Sequence, residues 1–268
     1  MATAVTKAQE TAVSTDVFAD MFDSAGDGVN FDSSEMQIPF IRTLQALSPQ
    51  LNKNKPEFIK GATAGNIFNT VTAQVWDGET GIVVIPCCVE TKYLEFVPVD
   101  QGGGFKGELQ ASNPDLQNTT RVGRQELLPN GNEVVKSVQY YVLVVDEEGI
   151  FQPAIVDFKS TMLKVSKRWN TQISMQKIRS PKTGQLSTPP IYATMWRLVV
   201  VEESNDKGSW NTWGVERIGL VSNKDIYDEA KLFSKSVTSG QVRVAADPEQ
   251  GVGKPGPSSR VKEDEIPF

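Results

Sequence analysis

The chain has 268 residues and a formal net charge of −6, with 39 % hydrophobic and 22 % charged residues. This composition is typical of a globular protein with one large domain or two small ones. The sequence contains no histidine and only two cysteines, Cys87 and Cys88. It therefore excludes Ser-His-Asp and Cys-His catalysis, His-containing metal sites and a structural zinc site. Because no other nucleophile–base pair or metal-ligand spacing is present, we predict no catalytic residue, no metal and no cofactor.

The lack of a recognisable targeting signal and the use of cysteine predict a cytoplasmic location. No apolar run approaches the roughly 18 residues of a membrane span, and the first residues lack the pattern of a secretory signal. We expect a cytoplasmic protein, in the host cell if it is phage-encoded, with no membrane partner. Adjacent residues of a strand point to opposite faces, so we expect Cys87 and Cys88 to be two buried thiols without a disulfide.

The net negative charge of the chain comes from its two ends. Residues 1–35 carry a net charge of −6 and residues 236–268 a net charge of −1, which leaves +1 for residues 36–235. Residues 1–30 have few large apolar groups and predict a poorly ordered acidic arm. The Pro, Gly and Ser of residues 236–268 predict a disordered acidic tail. The folded core is therefore expected to span residues 31–235.

In chain order, a short helical turn is predicted at residues 17–22 and is followed mainly by strands. Runs rich in β-branched, aromatic or continuous apolar residues predict strands at 66–76, 81–89, 93–97, 134–145, 150–158, 191–201 and 210–220. The pair Asn130-Gly131 and residues 146–149 are turn signals on either side of the central run.

Two helices interrupt this strand pattern. Residues 160–177 carry one apolar stripe made of Met162, Val165, Trp169 and Ile173. Asn223 is a suitable N-cap for a second helix over residues 225–234. We therefore predict a mainly β protein with α elaborations: an OB-fold-like Greek-key barrel with long loops and disordered termini. A β-sandwich fits the same pattern and remains open.

A basic segment indicates a binding surface. Residues 158–201 contain eight basic residues and no acid: Lys159, Lys164, Lys167, Arg168, Lys177, Arg179, Lys182 and Arg197. Positive groups at this density neutralise a phosphate backbone and release its counterions. The alternative is a solvated helix face followed by a basic loop.

Aromatic residues lie within this segment and just after it. Tyr192, Trp196, Trp210 and Trp213 offer surfaces on which unpaired bases stack without sequence preference. Trp169 belongs to the apolar stripe and is expected in the core. The glycine-rich loop at residues 101–105 lacks the lysine of a phosphate-binding P-loop. It adds Phe105 and Lys106 as candidate DNA contacts if it folds over a bound strand.

The last seven residues read Lys-Glu-Asp-Glu-Ile-Pro-Phe. This ending closely resembles the acidic tip of bacterial single-stranded DNA-binding proteins, and phage counterparts with an OB-fold core also close an acidic tail with an aromatic residue. Segments 38–40, 44–50 and 67–72 are similar to phage proteins described as single-stranded DNA-binding. The resemblance implies docking of replication or recombination proteins on Glu263, Asp264, Glu265, Ile266, Pro267 and Phe268.

The chemistry of the tip is consistent with that role. Acids beside an aromatic anchor whose conformations are limited by Pro267 suit a basic pocket on a partner protein. A solubilising charged tail is the alternative.

The sequence therefore favours a sequence-tolerant single-stranded DNA-binding protein of phage type. It would protect single strands in phage DNA replication, recombination or repair and recruit partners through its tip. Two other functions remain open: a phage single-strand annealing protein, and a structural virion protein without DNA affinity. The sequence does not fix the oligomeric state, and a homodimer is compatible with it.

Overall fold

The computed structural model describes residues 15–25, 27–28, 37–123, 125–206 and 208–241. The chain divides into two compact units, residues 1–36 and residues 37–268. In the first unit, helix α1 (Thr15–Asp23) contains the predicted helical turn. Most of the predicted tail, with its acidic tip, lies outside the described residues.

The second unit consists mainly of strands with two helices. In chain order its elements are β1 (Phe40–Thr43), β2 (Ile67–Asn69), β3 (Val75–Trp76), β4 (Ile82–Phe96), β5 (Phe105–Leu109), β6 (Thr120–Val122), β7 (Gln125–Leu127), β8 (Glu133–Val145), β9 (Phe151–Lys159), α2 (Leu163–Ser174), β10 (Ile178–Arg179), β11 (Leu186–Ser187), β12 (Thr194–Asn205), β13 (Gly208–Leu220) and α3 (Lys224–Thr238). The predicted mainly β fold with α elaborations is confirmed. Among the described helices, none is long and apolar enough to cross a membrane.

Within the described residues, eleven strands form one sheet in the order β13–β12–β4–β8–β9–β1–β2–β3. β5 is paired with β4, and the β6–β7 hairpin is attached to β8 through β7. β1 runs parallel to β9, whereas the pairs formed by β4, β8, β9, β12 and β13 with one another are antiparallel. β10 and β11 form a separate two-stranded hairpin.

The sheet curls until β13 approaches the end of β1, and the side chains of Gln45 and Asn211 bridge the gap. The Gln45 Nε2 amide donates to the Asn211 carbonyl (2.8 Å), and the Asn211 backbone N–H donates to Gln45 Oε1 (2.9 Å). The Asn211 side chain also donates to the Leu44 carbonyl (2.8 Å). These bonds replace the ladder that two adjacent strands would form, and they satisfy backbone groups at an otherwise open edge.

The two faces of the sheet bury separate apolar clusters because side chains of β8 alternate between them. The inner core contains Tyr140 and Trp196 from the sheet and Trp169 from α2. The ring of Tyr140 stacks on that of Trp169 with centroids 4.2 Å apart. The outer core contains Tyr141 from β8 and is covered by α3 through Ile226, Ala230, Phe233 and Val237. The sheet therefore lies between α2 on its inner face and α3 on its outer face.

Both predicted helices of this unit are present, with ends that differ from the predicted ones. The predicted stripe of α2 is confirmed, since Val165 and Trp169 are buried and Met162 and Ile173 pack against the inner core. The helix is shorter than the predicted 160–177. The Asn223 side chain accepts hydrogen bonds from the backbone of Asp225 and Ile226, which confirms the predicted N-cap. α3 continues to Thr238, beyond the predicted end at 234 and past the core boundary placed at 235.

Two strand predictions need correction. The run 66–76 forms two short strands, because the Asn69 side chain accepts hydrogen bonds from the backbone of Val71 and Thr72 and turns the chain there. The runs 81–89 and 93–97 join into the single 15-residue strand β4.

The two cysteines do not face opposite sides of the sheet. A β-bulge shifts the register of β4 between Pro86 and Cys88, and both thiols contact the outer core. Both cysteines are free; Cys87 is buried and Cys88 is half-buried. Burial raises the pKa of the Cys87 thiol to about 12.

Candidate nucleic-acid interface

The acid-free segment folds into the end of β9, helix α2, the β10–β11 hairpin and most of β12. On α2, Lys164, Lys167 and Arg168 are exposed, whereas Val165 and Trp169 are buried in the inner core. Lys164 and Arg168 are one helical turn apart and lie on the same side of α2. The packing of the apolar stripe therefore directs this group of cations to the surface.

A cleft of about 420 Å³ lies between α2 and the β12–β13 hairpin. We call it the α2 cleft, and its lining consists of Lys164, Val165, Arg168, Val201, Glu203, Thr212, Trp213 and Gly214. The Lys164 Nζ atom lies 2.7 Å from Glu203 Oε2. The cleft thus brings two cations together with one acid that pairs with one of them.

Two polar groups near this cleft have no hydrogen-bond partner in the described part of the chain. Thr212 is 2 % exposed, and its Oγ1 atom is buried without a partner. The Nε1 atom of the half-buried Trp210 is also unpartnered. On the β12–β13 ladder, Thr212 pairs with Val201 and Trp210 pairs with Glu203. Buried polar groups are nearly always hydrogen-bonded, so these two atoms are exceptions to that rule.

The β10–β11 hairpin carries three more of the predicted cations. The Lys177 ammonium donates to Thr188 Oγ1 (2.8 Å), and Arg179 Nη1 donates to the Gly184 carbonyl (2.8 Å). Both bonds are local and neutral, so the two side chains keep their charge at the surface. Lys182 is exposed in the turn between the strands.

Lys159 and Arg197 do not line the α2 cleft. The Lys159 ammonium forms an ion pair with Asp157 at 2.5 Å. Arg197 is exposed on β12 opposite Glu216 in the ladder, and its Nη1 atom donates to the Thr80 carbonyl (3.5 Å). An acid beside each of these residues reduces the attraction for a phosphate.

Two of the predicted stacking rings are structural. Trp196 is completely buried in the inner core, where its Nε1 donates to Thr194 Oγ1 (2.9 Å). Trp213 is 3 % exposed and packs in the same core. The prediction that they stack on bases is corrected, because the inward side of β12 and β13 leaves neither ring a free face. Trp169 is in the core, as expected.

The remaining aromatic candidates are half-buried at separate places. Tyr192 packs against Tyr227 of α3 with ring centroids 5.5 Å apart, beside the outer core. Phe105 at the start of β5 packs against Phe96 (5.6 Å). Of the predicted rings, Trp210 is the one whose ladder partner, Glu203, lines the α2 cleft.

Lys106 belongs to a carboxylate network. Glu95 Oε1 accepts hydrogen bonds from Lys106 Nζ (2.8 Å), Asn130 Nδ2 (2.9 Å) and Asn132 Nδ2 (2.6 Å). Burial alone would raise the pKa of Glu95, but these hydrogen bonds outweigh it and hold the pKa below its ordinary value. The network attaches β5 to the turn before β8, so Lys106 has a structural role.

Sequence reasoning missed Glu203 and Thr212 of the α2 cleft. An isolated acid and a threonine in a strand carry no functional pattern. A usable signal was the alternation of β13, which sets Thr212 on the side of the strand opposite the buried Trp213.

The structure thus defines a mainly β protein with a curled sheet and a basic cleft beside its helix α2. The chain belongs to the family described as Pam3 phage gp34-like protein, whose match covers residues 7–243. It is therefore a protein of a phage family, and the matched region ends before the acidic tip. No curated protein matches the chain. The solved structures likewise include no match to it.

Proposed function

We propose that the protein binds single-stranded DNA without sequence preference, along the surface formed by α2 and the β12–β13 hairpin. The observation that carries this proposal is the group of exposed cations on α2, beside a cleft, in a chain with an overall charge of −6. Lys164, Lys167 and Arg168 would neutralise phosphates and release counterions. The role is binding and protection of the strand, without chemistry on it.

The order and pairing of the strands support this proposal. β4, β8 and β9 form an antiparallel meander, α2 follows, and the β12–β13 hairpin returns so that β12 pairs with β4. This order resembles that of an OB fold, with β1 inserted between the strands that would be its third and fifth. OB folds bind oligonucleotides on the face of strands two and three and through the loops that join strands one to two and four to five. In that comparison, the β12–β13 hairpin would be strands four and five.

The charges of the sheet favour the α2 side over the outer face of β8 and β9. One part of that outer face is covered by α3. Another part carries two ion pairs, Lys92 with Glu90 and Lys159 with Asp157, on the strands flanking β8. Since each lysine there is paired with an acid, this face offers little net attraction for a phosphate chain.

The biological role follows from the same chemistry. A phage protein that coats single strands serves replication, recombination or repair in the host cytoplasm. The acidic tip at residues 263–268 would recruit replication or recombination proteins, and its sequence supports this because it joins acids to an Ile-Pro-Phe anchor.

Binding of a labelled oligo-dT and of a duplex, measured by fluorescence anisotropy at several salt concentrations, tests the proposal. We expect tighter binding of the single strand and a steep loss of affinity with salt. Replacing Lys164, Lys167 and Arg168 by alanine should weaken binding of all sequences alike. The same change should reduce the salt slope by about 1 for each phosphate that the variant no longer neutralises.

A matched control removes three lysines from the other helix: Lys224, Lys231 and Lys235 of α3. It changes the net charge equally but leaves α2 intact, so it should retain most of the affinity. Equal binding of duplex and single strand, or equal losses of affinity in the two triple variants, would contradict the proposed surface.

A further inference from the structure

We propose that Arg217 of β13 binds a backbone phosphate of the DNA strand and extends the binding surface from the α2 cleft to the β10–β11 hairpin. This inference rests on the proposed function and goes further, because Arg217 lies outside both the acid-free segment and the lining of the cleft. It assigns a phosphate contact to a cation that the charge pattern of the sequence does not single out.

The side chain of Arg217 lies on the same side of the sheet as α2. Successive side chains of a strand alternate between its two sides, and Trp213 and Val215 of β13 both belong to the inner core. Arg217 follows in the same series and pairs on the ladder with Trp196, which is also in the inner core. A contact with the end of α2 agrees with this direction, since Arg217 Nε donates to Gln176 Oε1 (3.3 Å).

Helix α2 and strand β13 lie beside each other between the cleft and Arg217. At one end, Lys164 and Thr212 line the cleft, and at the other end Gln176 contacts Arg217. The chain covers about 18 Å from Lys164 to Gln176 at the rise of an α-helix. It covers about 17 Å from Thr212 to Arg217 at the rise of a strand. Because the two lengths agree, Arg217 lies about 17 Å beyond the cleft, along the same border between α2 and β13.

The guanidinium of Arg217 is available to a ligand. The residue is exposed, and the part of the chain that the structure describes contains no ion-pair partner for it. The adjacent acid, Glu216, alternates to the other side of the sheet, where it is opposite Arg197. Gln176 is neutral and accepts only from Nε, so the two terminal nitrogens of Arg217 can bind a phosphate in bidentate geometry. The bond to Gln176 therefore holds the side chain in place and leaves its charge unpaired.

The β10–β11 hairpin continues the positive surface beyond Arg217. β10 begins two residues after Gln176, and the exposed Lys177 and Arg179 donate to neutral groups of the hairpin. Arg179 is directly opposite Leu186 on the ladder, and Leu186 is 57 % exposed. A cation and an apolar side chain thus lie side by side, as a nucleotide presents its phosphate beside its sugar. Arg217 lies between these cations and those of α2, so a strand that contacts both groups would pass over it.

Arg217→Gln and Arg121→Gln are a matched pair of variants. Arg121 is also exposed and donates from Nε to a neutral group, the Gly123 carbonyl (3.4 Å), but it belongs to the β6–β7 hairpin. We expect Arg217→Gln to bind oligo-dT about tenfold more weakly at low salt, the effect of one lost charge-assisted contact. Its salt slope should be smaller by about 1. Arg121→Gln changes the net charge equally and should retain the affinity and slope of wild type.

Arg217→Lys tests the geometry of the contact. It keeps the charge and loses the planar guanidinium, so the salt slope should stay that of wild type while the affinity falls by a smaller factor than in Arg217→Gln. Melting followed by circular dichroism shows whether the variants fold. Because Arg217 is exposed, we expect midpoints close to that of wild type. If Arg217→Gln does not fold, a lower affinity of Arg217→Lys at an unchanged slope supports the contact, and an unchanged affinity contradicts it.

The outcomes separate the two proposals. If wild type binds no single-stranded DNA, the proposed function fails and the assignment of Arg217 fails with it. If wild type binds and a folded Arg217→Gln matches Arg121→Gln in affinity and slope, the assignment of Arg217 alone is wrong. If Arg217→Gln retains oligo-dT binding but weakens binding of a peptide corresponding to residues 262–268, Arg217 is a peptide contact and the proposal is overturned.

Discussion

Glu95 is a buried charge that joins β5 to the turn before β8. The carboxylate is 7 % exposed and accepts hydrogen bonds from Lys106, Asn130 and Asn132. These donors come from β5 and from the turn before β8. A neutral side chain at this position would leave several donors without a strong acceptor.

We expect Glu95→Gln to lower the free energy of unfolding by about 1–3 kcal/mol at neutral pH, measured by urea denaturation. The folded pKa lies below the ordinary value of 4.5, so the stabilisation is complete above pH 4.5 and is lost as the pH falls through the folded pKa. The difference between variant and wild type should therefore shrink in acid.

Glu108→Gln is the control for this prediction. It removes the same charge from an exposed ion pair with Lys92, whose contribution to stability is small. A loss of stability in Glu108→Gln as large as in Glu95→Gln, or a difference for Glu95→Gln that does not depend on pH, would contradict the role of the network.

At the scale of secondary-structure elements, helix α3 covers the outer core. Its four buried side chains remove Tyr141 and its neighbours from water, and Asn223 starts the helix by binding two backbone amides that have no partner inside it. The position of α3 therefore depends on its first turn as well as on its apolar side.

We expect Asn223→Ala to lower the free energy of unfolding by about 1 kcal/mol, because the helix loses its N-cap. Thermal unfolding followed by circular dichroism measures this loss. Asn54→Ala, in an exposed loop, should leave the midpoint unchanged. An unchanged midpoint for Asn223→Ala would mean that packing alone positions the helix.

Most helices and strands could be predicted because the periodicity of their apolar residues determines which of the two they form. The stripe of α2 and the paired runs of β8 and β9 follow spacing rules that act within a few residues. The single strand β4 could not be predicted, since the polar residues Glu90, Thr91 and Lys92 separate its two apolar runs, and only their pairing with β8 makes the strand continuous. The turn after Asn69 was also missed, because a side-chain hydrogen bond there overrides β-branched composition.

Of the candidate site, only the basic residues could be predicted from the sequence. An acid-free segment is visible in the sequence, and the structure places Lys164 and Arg168 from it at one cleft. Composition does not say which face of a strand is buried, so Trp196 and Trp213 were assigned to the surface. Glu203 and Thr212 line the cleft through their positions on the β12–β13 ladder, which is a property of the folded chain.

At the scale of the whole molecule, the acidic tip and the basic surface carry opposite charges. Removing residues 262–268 deletes three acids and one base. We expect this truncation to raise affinity for oligo-dT, most clearly at low salt, and to abolish capture of the partner. Binding titrations and pull-down with the truncated chain measure both effects.

Phe268→Ala separates the two effects because it keeps every charge. It should leave DNA affinity unchanged and weaken capture of the partner. If truncation changes neither property, the tip is only a solubilising appendage.

The bridge between Gln45 and Asn211 has a consequence for how the chain reaches its fold. It joins residues 166 apart in sequence, and β1 pairs with β9, more than a hundred residues later. During synthesis, Phe40 and Ile41 leave the ribosome long before the strands that bury them exist. Pairings of such long range form slowly, and the waiting strand has an unpaired edge that favours aggregation. Rapid overproduction should therefore yield more insoluble protein than slow expression at low temperature. The aggregation should occur before β13 completes the sheet.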